Sequence, residues 1–445
     1  MKRNLERDAM SNDDIFGRIP EEAKTPPPVE SRPTGAPRLL RPDRQQMRLL
    51  PTDMESLLPE DHPARAIWAV VETLDLSKFE AALAAREGHS GRPGIDPRIL
   101  TALWIYATSE GIGSAREIER LEEMHHAYQW ICGGVHVNHH TLSDFRVAHR
   151  EALNDLFSQI LGVLSHQNLV ELKRVAQDGM KIRASAGAAS FRREKSLKEC
   201  LQEAQEQVKE TEREAESGED VSSRRKAARE RAARERQERV ARALAELPKA
   251  REAKEKKDQE KARVSTTDPE ARVMKMADGG FRPAYNAQFA TDVKSRVIVG
   301  VEVTNAGTDM AQMRPMLQNI KKQHGQVPPE YLVDGGFAKR EAIEQATQQG
   351  VTVFAPVQKP KDPAVDPHQP KPKDSPEIAD WRVRMGTPEA KDIYKDRAAT
   401  AETTNADLRC QRALDSLPVR GLPKVECVVI WAALTYNILK LIAVT

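Results

Sequence analysis

Cysteine is scarce: the 445-residue chain has four, Cys132, Cys200, Cys410 and Cys427, and no two form a Cys-x-x-Cys pair. That spacing argues against a disulfide framework and against a structural zinc site, and it fits a reducing cytoplasm. A large net charge is also missing, since charged residues make up 31% of the chain yet sum to only +2. Bulk charge therefore points to no polyanionic partner, and any basic surface has to be local. The N-terminus is polar and charged, without the apolar core of a signal peptide. The most apolar stretch, 428–444, is interrupted by Asn437 and Lys440, and it reads as a buried helix of a soluble protein rather than a membrane span. No Gly-rich phosphate loop of the Walker type is present, so nucleotide hydrolysis is not expected.

The length is enough for two or three domains. Residues 1–44 are rich in Pro, Arg and Glu, and read as a disordered arm that cannot bury enough surface to fold alone. Its Arg32, Arg38, Arg41 and Arg44 suit phosphate contacts as well as they suit a solvated tail. Residues 45–166 carry a helical pattern. Asp96-Pro97 is an N-cap with proline at the first helical position, followed by Ile99, Leu100, Leu103 and Trp104, and Gly111 and Gly113 stop that helix. Ser114 and Glu117 form a capping box for a second helix carrying Ile118, Leu121 and Tyr128 up to Gly133. Thr141 opens a third, with Phe145, Leu153, Leu156, Phe157, Ile160 and Leu164 inward. This describes a compact all-α domain able to bind DNA in helix-turn-helix fashion.

From 167 to 445 the pattern becomes α/β. Residues 174–184 read as a strand containing Asp178-Gly179. Residues 281–293 alternate, with Tyr285, Ala287 and Phe289 on one face and Asn286, Gln288 and Asp292 on the other. Val297, Val299, Val301 and Val303 keep that period after a Lys294-Ser295 turn, which predicts a hairpin. A helix with Met310, Met313, Met316, Leu317 and Ile320 follows, capped by Asp309, and Asp292 is read as facing solvent. Then come a short strand 331–334, a helix closed by Gly350 and a strand 351–354: a mixed sheet covered by helices. Residues 191–263 interrupt it with Glu, Lys, Arg, Ala and Gln and sparse Leu and Val. The bend expected at 217–220 makes this a coiled-coil pair of arms, or alternatively a solvated charged linker.

Metal-assisted phosphoryl transfer needs a few carboxylates on rigid elements that meet in space. Asp178 lies on the first strand and Asp334 ends the fourth, each followed by a glycine that keeps backbone bulk away from a substrate. Glu402 lies on a helical stretch near the C-terminus. Taken singly, Asp-Gly is a turn signal and a Glu on a charged helix faces water; the constellation says more, because both aspartates interrupt apolar strands of one sheet. Of the other C-terminal acids, Glu389 suits a helix start and Glu426 a packing helix. His125, His126, His136, His139 and His140 cluster loosely in the helical part, where helix termini and DNA contacts explain them better than zinc.

These phrases resemble the DDE transposases of bacterial insertion sequences. In the helical part the resemblance runs through Leu58-Pro-Glu-Asp-His-Pro63, Gly91-Arg-Pro-Gly-Ile-Asp-Pro97 and His140-Thr-Leu-Ser-Asp-Phe-Arg146. Further on it runs through Ala176-Gln-Asp-Gly-Met-Lys-Ile182, Leu332-Val-Asp-Gly-Gly-Phe337, Tyr394-Lys-Asp-Arg397, Ala401-Glu-Thr-Thr-Asn-Ala406 and Leu417-Pro-Val-Arg-Gly-Leu422. The resemblance implies a ribonuclease-H-like catalytic domain at 167–445, split by the helical insertion and preceded by the DNA-binding domain. It implies Mg²⁺ or Mn²⁺ held by Asp178, Asp334 and Glu402, with DNA contacts from Tyr394, Arg397 and Arg409. It also implies cleavage at transposon ends, strand transfer into target DNA, a homodimer or higher oligomer on DNA, and a place in the bacterial cytoplasm at the nucleoid. The step from Arg397 to Glu402 is one residue longer than in the best-known form of the signature, and Phe337 stands for a frequent Tyr. Two rivals remain: a catalytically silent DNA-binding descendant of such an enzyme, and an oligomerising coiled-coil protein.

Overall fold

Capped helices open the part of the chain described by the computed structural model, which covers residues 53–83, 85, 93–216 and 223–444. The arm 1–44, residues 91–92 of the Gly-Arg-Pro-Gly phrase and the bend expected at 217–220 lie outside those residues. At α1 (Pro63–Glu72) the His62 ring accepts the Ala64 amide at 3.1 Å. After the short α2 (Ser77–Ala81) comes α3 (Pro97–Ser109), where the Asp96 carboxylate accepts the Arg98 amide at 2.8 Å. Nearly every side chain of α3 is buried, so it forms the centre of the helical layer.

The second expected helix is two. α4 (Ala115–Met124) stops at His125, whose backbone is extended and whose ring caps α5 (His126–Cys132) by accepting the Ala127 amide at 3.2 Å. The third is also two. α6 (His139–Ala148) is capped by Asn138, which accepts the Thr141 amide at 2.9 Å, and α7 (Arg150–His166) starts after His149. Thr141 therefore sits inside the first turn instead of capping it. In both cases apolar period continued across a histidine whose backbone had left the helix, and period alone does not register such a break.

β1 (Arg174–Arg183) follows, then the two-residue β2 (Phe191–Arg192) and a hairpin of long helices, α8 (Glu194–Glu216) and α9 (Ser223–Glu252). The two helices pack antiparallel: Arg251 pairs with Glu194, Arg236 with Glu203 at 3.2 Å and Arg234 with Glu212 at 3.3 Å. Between them lie Leu197, Ala204, Val208, Val240, Ala243 and Leu247, all buried. β3 (Val264–Ser265) closes this insertion by pairing with β2.

The main sheet continues with β4 (Arg272–Lys275), β5 (Phe281–Asp292) and β6 (Ile298–Thr304). After α10 (Met313–His324) come β7 (Glu330–Leu332), α11 (Arg340–Gln348) and β8 (Thr352–Phe354). Its order is β4-β5-β1-β7-β8, with β6 on the same partner as β4; β5 runs antiparallel to β1, β4 and β6, while β7 and β8 run parallel to β1 and each other. β1 is thus central, and it is the strand bearing Asp178. Met310 lies outside α10 and is 51% exposed, whereas Met313, Met316, Leu317 and Ile320 are buried against β6.

Three helices finish the chain: α12 (Pro376–Gly386), α13 (Pro388–Gln411) and α14 (Leu422–Ile442). α14 is long and apolar enough to cross a membrane, but 78% of its apolar window is buried among α3, α6, α7 and β6. Asn437, the polar interruption, accepts the Ile298 amide at 2.9 Å and donates to the Ile298 carbonyl at 2.8 Å, which clamps the start of β6. One hydrophobic core runs from the helical layer through α14 into the sheet, and Thr52–Thr445 form a single compact unit.

Candidate functional site

α13 carries one wall of the site. Thr387 caps it by accepting the Ala390 amide at 3.2 Å, with Pro388 at the first position. Its buried stripe, Ala390, Thr400, Ala401, Thr404 and Leu408, consists mostly of small residues, so the helix lies close on β1, β5 and β8. Arg174 of β1 fixes the approach, pairing through Nε with Glu330 at 2.6 Å and through Nη1 with Asp396 of α13 at 2.7 Å.

The residue after Asp396 is Arg397. Its Nη2 lies 2.9 Å from Asp178 Oδ1 and 3.9 Å from Asp334 Oδ2. Two turns further along α13, Asn405 Nδ2 donates to Asp178 Oδ2 at 3.1 Å. Asn405 Oδ1 is buried and, among the described residues, has no hydrogen-bond partner. Asp178 thus meets a cation on one oxygen and an amide on the other. Burial pushes its carboxyl above the usual range; the Arg397 charge and the Gly179 amide work against that, and the charges of Asp334 and Asp309 add to it. Asp334 does not lie within its strand. β7 ends at Leu332, and Asp334 opens a turn in which its Oδ1 accepts the Gly336 amide at 2.8 Å. Tyr394 stands in the same field: burial raises its phenol, Arg397 lowers it, and Asp334 and Asp178 raise it.

Glu402 lies on α13 between Arg397 and Asn405 in sequence, and its side chain is exposed. At 3.6 residues per turn it points roughly 60° around the helix from Asn405. Among the described residues no group of three His, Cys, Asp or Glu is close enough to hold a metal ion. Asp178 and Asp334 are therefore brought together and Glu402 stands to their side. Arg409 Nη2 donates to the Lys181 carbonyl of β1 at 3.4 Å. Glu389 is exposed at the start of α13, and Glu426 pairs with Arg150 at 3.0 Å, away from the aspartates.

The glycines act differently from expectation. A Cβ on Gly179 would collide with Asp309 Oδ1 and Gln288 Nε2, so this glycine makes room for a protein network and not for a substrate. Beside Gly335 the nearest atom is Pro356 Cγ at 3.5 Å, an ordinary contact. The network at Gly179 is buried. Tyr331 donates to Gln177 at 2.9 Å, Gln177 to Gln288 at 2.9 Å, and Gln288 and Asn286 donate to the Asp309 carboxylate at 2.6 and 2.7 Å. Asp309 thus does not cap α10, which begins after Gln312. Asp292 is likewise buried, accepting from the Lys294 and Ser295 amides at 3.1 and 2.9 Å and from the Leu172 amide at 3.2 Å, so it organises the β5–β6 turn. The polar face of β5 is an interior face, because α10 and the 305–312 loop cover it; strand alternation cannot tell a polar network from solvent.

A hard divalent cation fits this donor set. The oxygens at hand are two carboxylates and an unpartnered buried amide oxygen, with no thiolate or imidazole among them. The position also accepts positive charge, since a guanidinium already spans both carboxylates. Asn405 is the residue that sequence reasoning underused; it lies eight residues after Arg397 on one helix, about 80° around the axis, and both side chains reach Asp178. Three of the five histidines have carboxylate or backbone partners: His136 Nδ1 meets Glu122 at 3.1 Å, His139 Nδ1 meets Glu119 at 2.5 Å, and His125 caps α5.

Residues 52–148 match a family described as Transposase domain (DUF772), and residues 245–438 match a family described as Transposase DDE domain. The second span contains Asp334, Arg397, Glu402 and Asn405, while Asp178 lies outside both. No curated protein and no solved structure matches the chain.

Proposed function

We propose that this chain, which belongs to the DDE transposases of insertion sequences, cleaves phosphodiester bonds at the ends of its element and joins the freed ends to target DNA. The observation that carries this reading is the pairing of Asp178 and Asp334 through Arg397 under a helix that also bears Tyr394, Glu402 and Asn405. A mixed sheet with one aspartate on its central strand and the other just past the neighbouring parallel strand supports a ribonuclease-H-like core. The antiparallel pair α8 and α9 supports reading 191–263 as a coiled-coil insertion, and the capped helices support end recognition by 45–166.

In this reading Asp178, Asp334 and Glu402 hold Mg²⁺ or Mn²⁺. A bound cation of that kind supplies Lewis acidity and an acidified water. Asp178 and Asp334 orient their oxygens through the bonds from Asn405 and the Gly336 amide. Tyr394 and Arg397 contact DNA beside the scissile phosphate, and Arg409 holds the strand further along α13. Hydrolysis breaks the P–O bond to the 3′ oxygen of the element end and leaves a 3′-hydroxyl. That hydroxyl then displaces an oxygen of a target phosphate, forming one P–O bond as another breaks. The chain works as an oligomer on DNA, in the bacterial cytoplasm.

The test is incubation of the full chain with labelled DNA from the borders of its own coding locus. Nicking and joining that need Mg²⁺ or Mn²⁺ and stop with chelator support the reading. Specific binding without cleavage under any divalent ion assigns the chain to the silent DNA-binding class instead.

A further inference from the structure

We propose that a basic cavity at the root of the α8–α9 hairpin seats the sugar–phosphate backbone of DNA, an inference that rests on the transposase reading. The cavity has a volume of about 820 Å³. Six cations line it, Arg193, Lys249, Lys254, Lys261, Arg263 and Arg272, and no carboxylate does.

The six form two sets. Lys249 and Arg272 share Glu246 at 2.7 and 2.9 Å, and Lys261 pairs with Asp258 at 2.9 Å; these acids stand outside the lining. Arg193, Lys254 and Arg263 are exposed and, among the described residues, have no ion-pair partner. Between the cations the wall is apolar, with Phe191, Ala250 and Val273. A small anion needs one or two cations. Six of them around apolar surface suit a chain of evenly spaced negative charges whose sugars present apolar faces.

The rim of the cavity reaches the main sheet. Asn305, Ala306, Gly307 and Thr308 line it. Asn286 ties this loop to the network at β1, donating to the Ala306 carbonyl at 3.4 Å and to Asp309 at 2.7 Å. Asp309 stands against Gly179, the residue after Asp178. Gly179 and Asp178 face opposite sides of β1, so the loop at the rim lies on the sheet face opposite α13. The insertion would then act as a clamp on DNA at its base.

The experiment uses the full-length chain and a labelled duplex carrying its element ends, with binding followed by anisotropy across a salt series. One variant combines Arg193→Gln, Lys254→Gln and Arg263→Gln. A control removes equal charge from exposed positions toward the far end of the hairpin, with Lys209→Gln, Arg213→Gln and Arg225→Gln. Unchanged circular dichroism and melting establish that both fold. The root variant is expected to show a salt dependence shallower by about 0.9 for each lost phosphate contact, roughly three units in all, with the control losing less than half of that. Equal losses in both variants, or none in the root variant, overturn the proposal while leaving the transposase reading intact. A wild-type chain that binds neither its ends nor other DNA overturns both.

Discussion

Arg397 Nη2 lies 2.9 Å from Asp178 Oδ1 and 3.9 Å from Asp334 Oδ2, so one guanidinium spans a carboxylate on β1 and one in the turn after the neighbouring β7. Asp178 is largely buried, and its carboxyl is raised by that burial while Arg397 draws it down. Removing the cation leaves the Gly179 amide alone to oppose burial and the two nearby acids. In Arg397→Gln the Asp178 carboxyl is expected to titrate at higher pH than in the wild type. Aspartate side-chain carbon shifts followed by NMR across acid pH check this. An unchanged Asp178 titration means that the ion pair does not form in solution.

Glu402 is the third acid of the proposed set, and it is exposed beside the Asp178–Arg397–Asn405 cluster. Glu402→Gln is expected to eliminate strand cleavage in a folded protein that still binds its ends. Glu389→Gln and Glu426→Gln should leave cleavage measurable, since one stands at a helix start and the other pairs with Arg150. A folded Glu426→Gln protein without cleavage, next to an active Glu402→Gln, would reverse the assignment.

Gly179 is fixed by the Asp309 network and not by any substrate. Gly179→Ala drives a methyl into two hydrogen-bonded polar atoms of a close-packed interior, and a loss of about 1–3 kcal/mol is expected. Urea unfolding measures it. A midpoint equal to the wild type would show that Asp309 and Gln288 move aside freely.

His324 supplies a stability change with pH. Burial lowers its imidazole below the ordinary value of 6.5, against the opposing effects of the Val299 carbonyl at 3.1 Å and of Asp292. The unfolded chain therefore binds a proton more readily than the folded one as pH falls below 6.5. Stability contributed by the neutral ring is retained above that value and lost as pH drops through it toward the folded-state value. His324→Gln is expected to flatten the decline in melting temperature on mild acidification. An identical decline in both proteins would show that other groups carry it.

Much of this architecture was legible in the residues. The strand at 174–184, the hairpin on either side of Lys294-Ser295 and the buried helix at 428–444 all follow from local period and turn chemistry; the strands formed within a residue or two of expectation, while the helix starts six residues earlier, at Leu422. The breaks at His125 and His149 did not show, because their flanks keep the apolar stripe in step across a single residue that leaves the helix. β4 was missed for the opposite reason: four residues with Val273 and Lys275 outward carry too little pattern to stand out. At the site, Asp178 and Asp334 were legible as acids inside apolar runs, though the second lies in a turn. The partnership of Asp178 with Asn405 spans 227 positions of sequence, a relationship that only packing of α13 on β1 creates.

The measurement that bears most directly on the central claim is end cleavage by Asp178→Asn and Asp334→Asn proteins in Mg²⁺, read beside their binding to the same DNA. Each change removes a carboxylate charge at nearly constant volume. Both variants are expected to bind the element ends with near wild-type affinity and to nick none of them. Cleavage at the wild-type rate by either asparagine protein would contradict a mechanism in which these two carboxylates hold the metal.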